Sequence, residues 1–126
     1  MPDAAAIEEL AQKAVRGLPR KFRDYLGDVV IRVEEFADKE TLRAVGLDDP
    51  WCLTGLYQGC PVGEQSIWSS GDLPPVISLF RAPLLAELHQ TGVGLVELVT
   101  HVIVHEVGHH FGLTDAQMHA IENDRL

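Results

Sequence analysis

The sequence predicts an α+β domain, and three observations carry that expectation. The stretch from Leu95 to Val104 is apolar almost all round and long enough for a buried helix. Val29-Val30-Ile31-Arg32-Val33 and Val76-Ile77-Ser78-Leu79-Phe80 are short, β-branched runs of strand type. Capping residues bracket several further apolar stripes, as helix ends require. Together they imply two to four strands in a mixed sheet, with the long helix packed beneath it.

In chain order, Asp3 caps a first helix over about 4–16, whose stripe is Ile7, Leu10, Ala11, Ala14 and Val15. Pro19 starts and Gly27 ends a short second helix that buries Phe22, Tyr25 and Leu26. Arg16, Arg20, Lys21 and Arg23 form a solvated basic face. The strand beginning at Val29 runs to about Glu35, and Asp38 caps a helix through about Val45. Asp48-Asp49-Pro50 is a turn, and Leu53 to Tyr57 a short strand. Gly63 to Pro75 has loop composition and is the expected mobile rim. Pro83 opens a helix through about His89, with Gly92 and Gly94 before the long helix. Arg81 is expected to pair with an acidic residue.

Length and charge bound the function. At 126 residues the chain holds one domain, taken as 1–126. A net charge of −9 argues against nucleic acid or an anionic membrane as partner. No apolar stretch reaches about eighteen residues, so no bilayer span is expected. The first residues lack a basic region followed by a long apolar core, and a cytoplasmic address is the default. Cys52 and Cys60 are expected to be free in that compartment.

The chemistry is concentrated in His105-Glu106-Val107-Gly108-His109-His110-Phe111-Gly112-Leu113-Thr114-Asp115, a run of the form H-E-x-x-H-x-x-G-x-x-D. Residues four apart share a helix face, about 6 Å apart along the axis at roughly 1.5 Å per residue. His105 and His109 can therefore close on one metal ion. Glu106 is rotated off that face and suits the role of base toward a water on the metal. Gly112 ends the helix in the left-handed conformation, and the turn returns Asp115 as a carboxylate ligand. Two imidazoles, one carboxylate and an open position describe a catalytic zinc site. Thr114 and Gln117 fit a capping box, making Asp115 the first residue of a terminal helix. His119 shares its face and is a candidate supporting group or competing ligand. Leu98 and Val102 lie on the histidine face, which is expected to be covered. His89, His101 and His110 read as bystanders.

This run, with Leu53-Thr54-Gly55-Leu56-Tyr57-Gln58-Gly59 and Ile77-Ser78-Leu79-Phe80-Arg81-Ala82-Pro83-Leu84, resembles the small bacterial zincin-like metallopeptidases that carry the Asp form of the motif. The resemblance covers nearly the whole chain. It implies a minimal zincin-type α+β domain, with His105, His109 and Asp115 on one Zn2+ ion and Glu106 as catalytic base. It also implies that Leu53–Tyr57 or Val76–Phe80 is an edge strand holding an extended peptide or protein substrate. The expected activity is zinc-dependent hydrolysis of a peptide bond through a metal-activated water. A silent domain that keeps the metal for stability or partner binding is the second expectation.

Overall fold

The computed structural model describes residues 2–59 and 75–124, so Cys60 and all but the last residue of the rim expected from Gly63 to Pro75 lie outside the described residues. Among the described residues, three strands form a mixed sheet in the order β1-β3-β2. β1 (Val30–Glu34) runs parallel to β3 (Val76–Phe80), and β2 (Gly55–Gln58) runs antiparallel to it. The helices are α1 (Ala4–Arg16), α2 (Arg20–Leu26), α3 (Lys39–Ala44), α4 (Arg81–Thr91), α5 (Leu95–His110) and α6 (Asp115–Asp124). No helix among the described residues is long and apolar enough to cross a membrane.

Local chemistry sets most of these boundaries. The Asp3 carboxylate accepts from the Ala6 amide at 2.9 Å, and Asp38 accepts from Thr41 at 2.7 Å, so both predicted caps form. Pro19 lies one residue earlier than expected, as the N-cap of α2, because its φ of −52° and ψ of 146° leave it extended. α4 also starts earlier than expected. Its first turn needs no amide hydrogen bond, so Pro83 is tolerated there. The Asp49-Pro50 turn continues as a single 3-10 turn over Pro50–Cys52.

The sheet separates two apolar clusters by the alternation of its side chains. Ile31, Ile77 and Leu79 face α1 and α5, joining Ile7, Ala11, Leu84, Val99 and Ile103 in the main core. Phe80 points the other way, to Ala37 and Leu42. Arg81 is held by Glu35 at 2.9 Å and by the Pro2 carbonyl at 2.8 Å, the structural pairing its sequence position implies. Cys52 is a free, exposed thiol.

Two glycines permit close approach to α5. A Cβ on Gly55 would stand 2.6 Å from Val102 Cγ1, so only glycine lets β2 lie this near the helix. Gly108 sits mid-helix, where glycine costs about 0.8–1 kcal/mol relative to alanine. The compensation is Met118 of α6, whose sulfur occupies the space a Cβ would take and which is 1% exposed.

Gly55→Ala is expected to push β2 off α5 and lower stability by about 1–3 kcal/mol, read from the urea midpoint; an unchanged midpoint would contradict this packing. The Asp38 carboxyl is held below its ordinary value of 3.8 by hydrogen bonds from the Thr41 amide and then its hydroxyl. The α3 cap therefore contributes fully above the unfolded value and is lost as pH falls through the lower folded one. The Thr41 amide NMR shift should titrate with a midpoint below 3.8 and stay flat in Asp38→Asn. A midpoint at or above the unfolded value would count against the cap.

Candidate metal centre

α5 carries the site because its two long faces meet different surroundings. Leu98, Val99, Val102, Ile103, Val104 and Val107 are buried against the core. The helix is not covered all round, however: Val96 is 60% exposed, and His101 and His109 are exposed. The stripe Leu98, Val102, His105, His109 thus starts under the core and emerges from it toward the C-terminal end. This corrects the expectation of a fully covered histidine face. The helix ends as predicted at Gly112, whose φ is 71°. The Leu113 amide bonds back to the Gly108 carbonyl at 2.9 Å and the Gly112 amide to His109 at 3.1 Å, the Schellman arrangement.

The next turn sends the chain back along α5. Thr114 Oγ1 accepts from the Gln117 amide at 3.1 Å, and Gln117 Oε1 accepts from the Thr114 amide at 2.8 Å, completing the capping box. Asp115, Met118 and Glu122, spaced three and four apart, share one side of α6. Met118 is the seated residue between the two carboxylates; His119 is exposed.

The imidazoles of His105 and His109 stand on adjacent turns with ring centroids 5.9 Å apart and planes at 84°. Two rings sharing one ion through nitrogens at about 2.0–2.1 Å have centroids roughly 5–6 Å apart, so the pair fits a shared metal. Asp115 is exposed at the head of α6, and its negative charge favours protonation of His105. Burial and then the neighbouring His101 outweigh it and hold the His105 imidazole below its usual value, which keeps the ring neutral and able to donate a lone pair at pH 7.

Sequence reasoning missed two neighbours. Among the described residues, the three metal-type side chains whose donor atoms all lie within 4.8 Å of one another are His101, His105 and Glu122. Asp115 and His109 stand outside that group. His101 had read as a bystander, and Glu122 was not singled out. The signal available was the i, i+4, i+8 ladder of His101, His105 and His109; Glu122 joins it only because α6 folds back.

Glu106 points away from the histidine stripe, toward the sheet. Its Oε1 accepts from the Tyr57 backbone amide at 3.2 Å. Burial raises its carboxyl above the ordinary value, opposed by that hydrogen bond and by His109. The Thr54 carbonyl accepts from Phe80, so even-numbered backbone groups of β2 face β3 and the Tyr57 amide faces outward. Among the described residues β2 is therefore an edge strand beside Glu106, whereas β3 is central and cannot be one. His110 stacks on the Tyr57 ring with centroids 4.3 Å apart, and its Nε2 is 3.4 Å from Tyr25 Oη. Burial lowers its pKa, and it serves the aromatic packing at this end of α5.

The sequence was also compared with known proteins. No curated protein matches the chain. The family model described as zincin-like metallopeptidase matches residues 26–125, from the end of α2 through α6. With a helix bearing H-E-x-x-H beside an edge strand, and a match over most of its length, the chain belongs to the zincin-like metallopeptidase family.

Proposed function

We propose that the protein is a zinc-dependent peptidase that hydrolyses an amide bond in a peptide or protein substrate, with a cytoplasmic address. The observation that carries the reading is the position of Glu106. One carboxylate is half-enclosed between β2 and α5, within electrostatic reach of His109, and hydrogen-bonded to the outward edge of a strand. His105, His109 and Asp115 are the residues assigned to the ion. When bound, zinc supplies Lewis acidity that polarises a carbonyl and acidifies water.

The rest of the chemistry belongs to the chain. The raised pKa of Glu106 makes it a stronger base than an exposed carboxylate. It takes a proton from the attacking water and returns it to the departing amine nitrogen. The outward edge of β2 offers backbone groups to an extended substrate, which aligns the scissile carbonyl with Glu106. The Tyr57 amide already holds the carboxylate in place, so the base does not have to be ordered at the moment of reaction.

A second reading rests on the donors supplied by α6. An ion gripping α5 and α6 together would also staple the terminal helix, without any hydrolysis. Chelation distinguishes the two. A metal that binds only the folded chain stabilises it by about 2.7 kcal/mol at a hundredfold excess over Kd. Loss of thermal stability with no peptide ever cleaved would favour the staple.

For the peptidase, Glu106→Gln should keep the metal and reduce hydrolysis of a fluorogenic peptide by about 10²–10⁴-fold. His109→Ala should weaken zinc binding. Wild-type turnover by Glu106→Gln would refute the assignment of the base.

A further inference from the structure

The motif uses only part of the α5 ladder. His101, His105 and His109 place imidazoles on three successive turns, while α6 runs antiparallel with carboxylates at its first and last turns. At the upper end, His101 Nδ1 lies 2.8 Å and His105 Nε2 3.5 Å from the same Glu122 oxygen, Oε1. That oxygen is buried and makes no hydrogen bond, despite the short approach of His101. The Glu122 side chain as a whole is 20% exposed, against 51% for His101.

A buried carboxylate oxygen flanked by two imidazole nitrogens offers three donor atoms to a cation. Donors around a tetrahedral zinc at about 2.0–2.1 Å are roughly 3.4 Å from each other, so these three need little movement to close. Access comes from a different side than the Glu106 edge. An open cleft of about 320 Å3, lined by Glu87 of α4, Glu97 and His101 of α5 and Glu122 of α6, leads to the group. Three carboxylates around its walls attract cations from solution.

We infer that His101, His105 and Glu122 form a second seat for a zinc-class divalent cation, one helical turn above the motif pair. The seat shares His105 with that pair. A ring nitrogen holds one ion, so filling the upper seat through His105 Nε2 withdraws that nitrogen from His109. Excess metal then opposes the lower site. This competition, though not the seat itself, rests on the proposed peptidase site.

Zinc titration of the full chain by calorimetry, with circular dichroism to verify folding, decides the matter. His109→Ala/Asp115→Ala removes the lower donors and should still bind one zinc. Adding Glu122→Gln or His101→Asn should weaken that binding at least tenfold. Cobalt in the same variant should give the visible spectrum of a nitrogen- and oxygen-bound tetrahedral ion. A folded His109→Ala/Asp115→Ala protein that binds no zinc would overturn the seat, as would binding that neither added substitution weakens. Failure of the peptidase reading looks different: Glu106→Gln would keep its turnover whatever the upper variants bind.

Discussion

The contact of Met118 with Gly108 sets the spacing between α5 and α6, and every donor on the two helices depends on it. Glycine at this point forgoes helix propensity, and the methionine side chain fills the space where its Cβ would be. The capping box at Thr114 and the Schellman turn at Gly112 then fix the direction in which α6 returns. With direction and spacing both set by local chemistry, Asp115 and Glu122 are brought along the histidine ladder without any dedicated scaffold. A small domain can hold a metal-type donor set in this way because one helix and its own continuation supply all of it.

The opposite side of α5 is governed by the sheet. Gly55 lets β2 approach Val102, and that approach brings the Tyr57 amide within hydrogen-bond reach of Glu106. The two acidic functions around α5 are thereby separated. Glu106 is half-buried, hydrogen-bonded to backbone and raised in pKa by burial. Glu122 of α6 faces His101 and His105 instead. His105 lies between these environments, with burial and His101 keeping its ring neutral. A neutral imidazole is the form that ligates a metal, and a partly shielded carboxylate is the form that acts as base near neutral pH.

Most helix ends and the two longer strands were legible in the sequence because local rules determine them. Asp3, Asp38 and the Thr114–Gln117 pair cap where capping chemistry requires, and β-branched runs form β1 and β3. β2 was less sharp: expected over Leu53–Tyr57, it spans Gly55–Gln58, because its ends follow from pairing with β3 rather than from composition. The two candidate edge strands could not be told apart from sequence, since strand order is a tertiary property. The donor group at Glu122 was invisible for the same reason. Helical spacing relates His101 to His105, but only the return of α6 carries a carboxylate to them across the intervening turn. Apolar composition also overstated the burial of α5, whose histidine stripe leaves the core before the helix ends.

Anomalous diffraction at the zinc edge, from crystals grown with one equivalent of zinc, tests the helix clasp most directly. The expected result is a single peak within about 2.0–2.1 Å of an imidazole nitrogen of His105 and of His109, with the Asp115 carboxylate completing the set. A peak remote from α5, or one held by α5 alone with α6 turned away, would contradict it.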